Sequence, residues 1–215
     1  TSTNGPITPA KACPLLIPKT PIERAIANSK LFPDAVKDNA ETMKLVEQLR
    51  TIADNMVATV NDLLDISKIE QGGLVITTEP VDLVELLDQL SEDFRMNANA
   101  KNLTLGFQTD LPIAIINGDK TKLRQVFTNL IDNAVKYTSE GSISIVLAYD
   151  SAKAEFTTSV IDTGPGIASE ELSLLFEKFA RGTAGKASAT KSSGLGLYLG
   201  KKIVELHKGS ITVTS

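Results

Sequence analysis

One long run of helical periodicity constrains this chain more than any other feature of its sequence. From about Ala35 to Glu70, apolar or small residues recur at the alternating three- and four-residue spacing of a heptad seam: Met43, Val46, Leu49, Ala53, Met56, Val60, Leu63 and Ser67. Gly72 and Gly73 follow, and glycine commonly stands just past a helix end. A helix with one apolar stripe needs a partner, so a bundle or dimer stalk through residues 35–70 is favoured over packing against the chain's own domain.

The residues before this helix are expected to be irregular. Five of the nine prolines lie among the first 21 residues, so no helix runs through that stretch. Pro21 suits a first helical position with Thr20 as its N-cap, and a short helix reaching Leu31 is expected after it. Residues 1–20 are therefore predicted to form an irregular leader.

From Leu74 onward, strands and helices alternate. Strands are predicted at Leu74–Thr78, Leu103–Thr109, Ile113–Ile116, Ser142–Tyr149, Glu155–Ile161 and Ser210–Thr214. Helices are predicted at Asp82–Asn99, Thr121–Tyr137, Ser169–Phe179 and Gly194–His207. Strands on one side and helices on the other make a two-layer α/β sandwich, so the fold class is α+β with a helical element in front. The polar stretch 181–193 predicts a mobile loop.

Composition excludes several classes of protein. The formal net charge is −4, from 22 basic and 26 acidic residues, without the basic excess of a nucleic-acid binder. The single cysteine, Cys13, excludes an internal disulfide framework and fits a reducing compartment. No apolar run approaches the ~18 residues that span a bilayer. We expect a soluble, cytoplasmic segment that contacts neither nucleic acid nor membrane, although a longer protein containing it can be membrane-bound.

The predicted helix Thr121–Tyr137 carries two different faces. Apolar residues at helical spacing form the core face: Leu123, Val126, Phe127, Leu130, Ile131 and Ala134. Polar residues form the opposite stripe: Gln125, Asn129, Asn133 and Lys136. A solvated face is the ordinary explanation, yet asparagine is a poor mid-helix choice because it competes with the backbone for hydrogen bonds. Two asparagines at i, i+4 beside a lysine can instead hold a hydrated Mg²⁺ ion and a phosphate.

A short glycine-containing segment, Asp162-Thr163-Gly164-Pro165-Gly166-Ile167, directly follows a predicted strand. Gly-Pro-Gly by itself is most simply a turn. Asp162 at the strand end makes the segment more specific, because a carboxylate there can accept a hydrogen bond from the exocyclic amine of a base. The glycines would let a flat ring lie against the backbone.

A second glycine-containing segment, Ser192-Ser193-Gly194-Leu195-Gly196-Leu197, opens the last predicted helix. Glycines at a helix start leave backbone N–H groups free for phosphate oxygens, and the helix dipole favours negative charge there. Alone this signal is weak, and its spacing is not that of the GxxxxGK[ST] phosphate loop.

In this order and spacing, the polar helix and the two glycine segments resemble the N, G1 and G2 boxes of the histidine kinase ATP-binding domain, the Bergerat fold. Leu175-Phe176-Glu177-Lys178-Phe179 resembles the F box, and residues 181–193 resemble the ATP lid. The run Asn61–Glu70 is similar to the end of the second dimerisation helix in these kinases. Gly118–Thr138 also matches the run into and through the N box.

The resemblance implies roles for individual residues. Asn133 would be the Mg²⁺ ligand, with Asn129 nearby. Lys136 would contact phosphate, and Tyr137 would stack near the adenine. Asp162 would bind the adenine amine. The rest of the implied nucleotide site is Gly164, Gly166, Ile167, Phe179, Arg181, Ser193, Gly194, Leu195, Gly196 and Leu197.

The stretch that should carry the phosphorylated histidine departs from the family. Lys19-Thr20-Pro21-Ile22 matches the end of the family's acceptor motif, which places the histidine on Leu16 and its general base on Ile17. Neither side chain can act as nucleophile or base. The single histidine, His207, falls near a helix end and is expected to be a helix-end residue. Either the phosphorylation site has been lost, or residues 1–20 are foreign sequence.

The function implied is that of the catalytic core of a two-component sensor histidine kinase, which binds Mg²⁺ and ATP and works with a response-regulator receiver domain. Its implied parts are a dimerisation hairpin over residues 21–73, homodimeric through residues 35–70, and an ATP-binding domain over residues 74–215 whose last strand is truncated. No catalytic residue is named, because the acceptor histidine is absent. Two alternatives remain: a nucleotide-binding pseudokinase or regulatory dimerisation module, and another Bergerat ATPase such as a type II topoisomerase or mismatch-repair protein. The long helix ending in Asn61–Glu70 argues against the last.

Overall fold

The computed structural model describes residues 40–180 and 193–215. The predicted leader, the predicted helix from Pro21 and most of the predicted loop 181–193, including Arg181, lie outside these residues. The chain divides into two compact units, residues 1–58 and residues 59–215.

The first described element is helix α1, Ala40–Glu70. The helix ends before Gly72 and Gly73, as predicted. Gly72 adopts a left-handed backbone (φ 66°), and Gly73 donates its backbone N–H to the Lys68 carbonyl at 2.8 Å. This pattern satisfies carbonyls that would otherwise lack a partner at the helix end. Large apolar side chains of the heptad seam are exposed on both parts of the helix: Leu49 and Met56 in the first unit, Val60 and Leu63 in the second.

Strands and helices alternate through the rest of the second unit. The strands are β1 (Glu79–Asp82), β2 (Thr104–Thr109), β3 (Ile115–Gly118), β4 (Ser142–Asp150) and β5 (Glu155–Asp162). The helices are α2 (Leu83–Asn99), α3 (Lys120–Tyr137), the short α4 (Ser169–Leu172) and α5 (Gly196–Leu206). Strands β1 and β3 pair antiparallel. A second sheet has the order β2-β4-β5, with β2 parallel and β5 antiparallel to the central strand.

Two apolar clusters join the helical layer to the strands and to α1. The larger one packs α2 and the buried face of α3 against β4, whose Ile143, Ile145 and Leu147 alternate inward. Such alternation is the period of a strand with one buried face. The smaller cluster joins the end of α1 to α3 and α5 through Ile66, Val126, Leu195, Leu199 and Ile203. The predicted α+β class and two-layer sandwich are confirmed.

Two predicted strands are absent from the described residues. Leu74–Thr78 forms no strand, and pairing begins only at Glu79. Ser210–Thr214 also forms no strand, although Ile211 and Val213 are half-buried in alternation. Alternation determines which side chains point inward, but a strand also needs a hydrogen-bonded neighbour.

The predicted helix Ser169–Phe179 stops at Leu172. Beyond it the backbone bonds connect residues three apart, from the Leu174 N–H to the Glu171 carbonyl at 3.0 Å and from the Glu177 N–H to the Leu174 carbonyl at 2.9 Å. These are the tighter bonds of 3₁₀-type turns rather than of an α-helix. The predicted strand Ile113–Ile116 begins two residues later, at Ile115, and runs to Gly118. No helix in the described part of the chain is long and apolar enough to cross a membrane.

Candidate functional site

Helix α3 presents the predicted polar residues because its opposite face is held in the core. The Asp119 side chain caps its first turn by accepting the Lys122 backbone N–H at 3.0 Å. Burial alone would raise the pKa of the Asp119 carboxyl. Hydrogen bonds from the backbone N–H groups of Lys122, Thr77 and Thr121 outweigh this effect, so the pKa lies below its ordinary value. The buried face of α3 is Leu123, Val126, Phe127, Ile131, Ala134 and Val135.

Asn129 links α3 to the start of α5. Its Nδ2 donates to the Gly196 carbonyl at 3.3 Å. A Cβ on residue 196 would lie 3.2 Å from the Asn129 amide, so glycine permits this close approach. The Leu195 side chain is buried in the smaller cluster, which leaves only its backbone available to a ligand. The structure thus brings the predicted N and G2 segments into direct contact.

The first turn of α5 has no side-chain cap on its backbone N–H groups. Just before it, Ser193 Oγ accepts the Leu195 N–H at 3.4 Å, and Gly194 has a left-handed backbone with φ 70°. Uncapped N–H groups at a helix start are donors that favour an anion. Leu197 is half-buried in this first turn.

The two ends of the predicted lid meet at Gly194. A Cβ on Gly194 would lie 2.8 Å from the Ala180 carbonyl oxygen and 2.9 Å from the Phe179 carbonyl carbon. Phe179 itself has φ 60° and an exposed side chain, so its ring is not a core residue. Phe176 lies nearby and stacks with Lys201, whose Nζ is 5.6 Å from the ring centroid.

At the other end of α3, Asp162 terminates β5 and is exposed. Its Oδ1 accepts the Gly164 backbone N–H at 2.9 Å and the Thr138 hydroxyl at 3.5 Å. Its Oδ2 has no hydrogen-bond partner among the described residues. One carboxylate oxygen is therefore held by the protein, and the other remains an open acceptor.

The loop after Asp162 is fixed at both ends. Thr163 Oγ1 accepts the Ser142 N–H at 2.9 Å and donates to the Glu140 carbonyl at 3.3 Å. Gly166 has a left-handed backbone with φ 74°. The Ile167 N–H donates to Ser215 Oγ at 2.7 Å, and Ile167 is half-buried.

The remaining predicted site residues of α3 lie between Asn129, which contacts α5, and Thr138, which contacts Asp162. They are Asn133, Lys136 and Tyr137. All three are half-buried. Lys136 Nζ is 5.5 Å from the centroid of the Tyr137 ring. No group among the described residues hydrogen-bonds to the Asn133 amide. Thr138 lies nine positions after Asn129, about 13 Å along the helix axis. The polar face between them is therefore about as long as a nucleotide, and it is the candidate binding surface called the groove below.

Lys101 binds the carboxyl end of α3, a role that was not predicted from the sequence. Its Nζ donates to the carbonyls of Val135 at 2.7 Å and Lys136 at 3.1 Å. A cation at a helix C-terminus satisfies free carbonyls and complements the dipole. Nothing in the sequence marks this lysine, since its partners are 34 and 35 residues away.

Gln125 and the end of α1 form a polar contact outside the groove. Gln125 Nε2 donates to Asp62 Oδ1 at 3.2 Å, and Lys122 Nζ pairs with Asp65 Oδ2 at 2.6 Å. Burial raises the pKa of the Asp62 carboxyl, aided by the charge on Asp65 and opposed by Gln125 and Lys122. Glu70 forms a further ion pair with Lys178. The polar stripe predicted on α3 is therefore divided, and Gln125 contacts α1.

His207 is a structural helix-end residue, as predicted. Its Nε2 accepts the Asp119 backbone N–H at 2.9 Å, so that nitrogen carries no proton. The proton is then on Nδ1, which donates to the Ile203 carbonyl at 2.8 Å. Both ring nitrogens are engaged within the protein. Leu16 and Ile17, the predicted acceptor and general-base positions, lie outside the described residues.

Comparison with known proteins gives consistent matches. Residues 118–215 match the family described as "Histidine kinase-, DNA gyrase B-, and HSP90-like ATPase". The sensor protein GacS of Pseudomonas syringae pv. syringae is 35% identical over 192 residues, covering 86% of this chain and 21% of GacS. The signal transduction histidine-protein kinase BarA of Escherichia coli (strain K12) is 34% identical over 177 residues, covering 79% of this chain and 19% of BarA.

A solved structure shows the same fold. Full-length ShkA, crystallised in complex with AMPPNP, superposes with a TM-score of 0.69 at 26% identity, over 89% of this chain and 42% of the ShkA chain. The chain spans about a fifth of the length of the curated relatives it matches.

Proposed function

We propose, from the premise that residues 118–215 belong to the histidine kinase-, DNA gyrase B- and HSP90-like ATPase family, that this chain binds Mg·ATP as the catalytic core of a sensor histidine kinase. The chain is homologous to the sensor protein GacS and to the signal transduction histidine-protein kinase BarA. Within the proposal, residues 74–215 form the ATP-binding domain, residues 21–73 a dimerisation hairpin and residues 1–20 a leader.

The observation that carries the proposal is the carboxylate of Asp162, of which one oxygen is hydrogen-bonded within the protein and the other is open. The Gly164 N–H and the Thr138 hydroxyl both bind Oδ1, and Oδ2 stays open at the end of the α3 groove. A carboxylate oxygen only accepts hydrogen bonds, and the exocyclic amine of adenine only donates them. Asp162 is thus suited to the adenine end of the nucleotide, with Gly164, Gly166 and Ile167 forming the loop beside it.

The triphosphate end of the groove is supplied by α3 and α5. The backbone N–H groups of Gly194, Gly196 and Leu197 would bind phosphate oxygens at the start of α5, where the helix has no side-chain cap, whereas the Leu195 N–H is bound to Ser193 Oγ. Lys136 would add positive charge. The described residues hold no cluster of three or more histidine, cysteine, aspartate or glutamate side chains able to bind a metal. Mg²⁺ in phosphoryl-transfer sites commonly takes few protein ligands together with water and phosphate oxygens, and the unbonded, half-buried Asn133 amide fits that role.

The protein's share of phosphoryl transfer is positioning and charge neutralisation. The groove residues provide both, and the bound Mg²⁺ would neutralise charge on the phosphates. The receiving histidine is not in this sequence at the family's position, which falls on Leu16. Transfer would therefore go to a histidine on another chain, and onward to a response-regulator receiver domain.

The exposed seam on α1 supports a homodimer through residues 35–70. Leu49 and Met56 are each 65% exposed, and Val60 and Leu63 are each 44% exposed. A continuous apolar stripe of this kind normally packs against a partner helix. The single cysteine fits a reducing compartment, so the segment is proposed to act in the cytoplasm.

A nucleotide-binding pseudokinase is the second candidate. The observation that favours it is His207, whose two ring nitrogens are both committed to backbone partners. No other histidine exists in the sequence.

Calorimetric titration of ATP into Asp162→Asn tests the adenine assignment. The amide places a donor where an acceptor is needed, and a mismatched hydrogen bond covered by the bound base costs about 1–3 kcal/mol, or roughly 5- to 150-fold in affinity. Asp110→Asn, an exposed carboxylate after β2, is the matched control and is expected to bind ATP as the wild type does. Equal affinity in wild type and Asp162→Asn would contradict the assignment.

The Mg²⁺ assignment is tested separately with Asn133→Ala. ATP binding by this variant is expected to lose most of its Mg²⁺ dependence while keeping the adenine contact. Asp132→Ala changes the exposed neighbour and is expected to retain the full dependence. If Mg²⁺ strengthens ATP binding to Asn133→Ala as much as to the wild type, Asn133 is only a groove residue.

A further inference from the structure

Thr138 is a buried hydroxyl with an unusual partner. It follows the last residue of α3, and its side chain is 0% exposed. The other buried polar side chain among the described residues, Ser91, donates to the Asp88 carbonyl in its own helix. Thr138 instead donates to a different element, to Oδ1 of Asp162 at 3.5 Å.

The direction of this hydrogen bond follows from its chemistry. An ionised carboxylate accepts hydrogen bonds and cannot donate one, so the Thr138 hydroxyl must be the donor. A fully buried hydroxyl without a partner is costly, and Asp162 is its partner among the described side chains. The proton of Thr138 is therefore directed at Asp162.

Gly164 converges on the same oxygen from the other side. Its N–H donates to Asp162 Oδ1 at 2.9 Å. A Cβ on Gly164 would lie 2.7 Å from that oxygen and 3.4 Å from both Thr138 Oγ1 and the Tyr137 carbonyl. The three groups pack so closely that only glycine fits at position 164 without displacing them.

Two donors on one oxygen determine where the other oxygen points. The terminal torsion of an aspartate side chain is broad, so the plane of a carboxylate is poorly fixed by its own rotamer. With Oδ1 of Asp162 held from two sides, Oδ2 is left in one direction. We propose that Thr138 is a positioning residue for nucleotide selection, whose hydroxyl orients the Asp162 carboxylate so that the open oxygen faces the base.

This inference rests on the proposed function and adds to it a structural basis for selecting the base of the nucleotide. An oriented acceptor favours adenine, whose six-position carries an amine, over hypoxanthine, whose six-position carries a carbonyl. A carboxylate that rotates freely would distinguish the two bases less well. Thr138 would therefore contribute to the choice between ATP and inosine triphosphate rather than to triphosphate binding.

The test measures the affinities of ATP and inosine triphosphate for wild type, Thr138→Val and Thr138→Ser. Valine keeps the shape of threonine and removes the hydroxyl, whereas serine keeps the hydroxyl. Thr138→Val is expected to bind ATP about threefold to tenfold more weakly, as suits one long hydrogen bond, with little change for inosine triphosphate. Thr138→Ser is expected to restore most of the ATP preference. Should Thr138→Val fail to fold, Thr138→Ala removes the same hydroxyl without adding a methyl group beside the carboxylate.

The outcomes separate positioning from a merely structural role. Equal losses for both nucleotides in the hydroxyl-free variants, or a serine variant that behaves like valine, would overturn the proposal and leave Thr138 as a packing residue. Asp162→Asn distinguishes the two levels of inference. If Asp162→Asn weakens ATP binding and Thr138→Val leaves the nucleotide preference intact, only the positioning role is lost. If Asp162→Asn has no effect on ATP binding, the adenine assignment itself fails.

Discussion

Gly194→Ala tests the close approach of the two ends of the predicted lid with a single added methyl group. Gly194→Ala places a side chain on a residue with φ 70°, a left-handed conformation that only glycine adopts without penalty. For other residues this conformation costs roughly 1–2 kcal/mol.

The new Cβ would also meet backbone from the other end of the predicted lid. It would lie 2.8 Å from the Ala180 oxygen and 2.9 and 3.0 Å from two Phe179 backbone atoms. Backbone cannot move aside as a flexible side chain does, and overpacking of this kind costs about 1–3 kcal/mol. The two terms together give a loss of roughly 2–5 kcal/mol, which lowers the melting temperature by on the order of 10 °C.

Thermal unfolding without nucleotide, followed by ATP titration, measures both consequences. Gly106→Ala is the matched control, because no heavy atom lies within 4 Å of its added Cβ and its backbone is not left-handed. We expect the control to melt and bind ATP as the wild type does, and Gly194→Ala to melt early and bind ATP weakly. If Gly194→Ala melts with the wild type and keeps its ATP affinity, the close meeting of the lid ends is wrong.

Three further outcomes are expected. Replacing Leu49 and Val60 together by aspartate should convert a dimer into monomers in analytical ultracentrifugation, whereas Gln48→Asp, off the seam, should not; a wild type that is already monomeric at high concentration would contradict the dimer. Because the pKa of Asp62 is raised by burial, its ionisation costs stability as the pH rises through that pKa. Asp62→Asn should therefore raise the melting temperature at neutral pH and leave it unchanged in acid, and the opposite dependence would refute the burial argument. Incubation with γ-labelled ATP should leave no acid-labile phosphate on this chain, since His207 is fully engaged, and label on that residue would exclude the pseudokinase alternative.

Periodicity predicted the strongest elements of the fold within one or two residues. Helix α3 was expected at Thr121–Tyr137 and begins one residue earlier, because its apolar face is continuous and Asp119 supplies a clear N-cap. Strands β4 and β5 each extend one residue beyond their predicted ends. These elements bury a face of regular period, and that period is a local property of the sequence.

Two strands that the sequence predicts are not formed, because strand formation depends on distant partners. The segment Leu74–Thr78 alternates as a strand does, yet its Thr77 N–H donates to Asp119 Oδ2 at 3.1 Å instead of to a neighbouring strand. Ser210–Thr214 has the right alternation without a described ladder. Whether such a segment pairs is decided by residues far away in sequence, which no local pattern contains.

The same limit applies to the candidate site. The polar residues of α3 and the two glycine segments were recognisable because each occupies a short, distinctive run. Thr138 and Lys101 were not named as site residues, because each matters through a contact with an element more than 20 residues away. The roles of the named residues in nucleotide binding stay predictions until the variants are measured.

The single histidine of this chain can also serve as a spectroscopic reporter of the position of α5. His207 sits at the carboxyl end of α5, whose amino end is the proposed phosphate contact, and its ring joins the Ile203 carbonyl to the backbone N–H of Asp119. A ¹⁵N spectrum of the ring would contain signals from one histidine only, with the chemical shifts of a fixed Nδ1–H tautomer. If nucleotide binding displaces α5 along its axis, both hydrogen bonds lengthen and the two nitrogen signals move toward each other. One label, introduced without any substitution, would then follow the helix while the nucleotide binds at its far end.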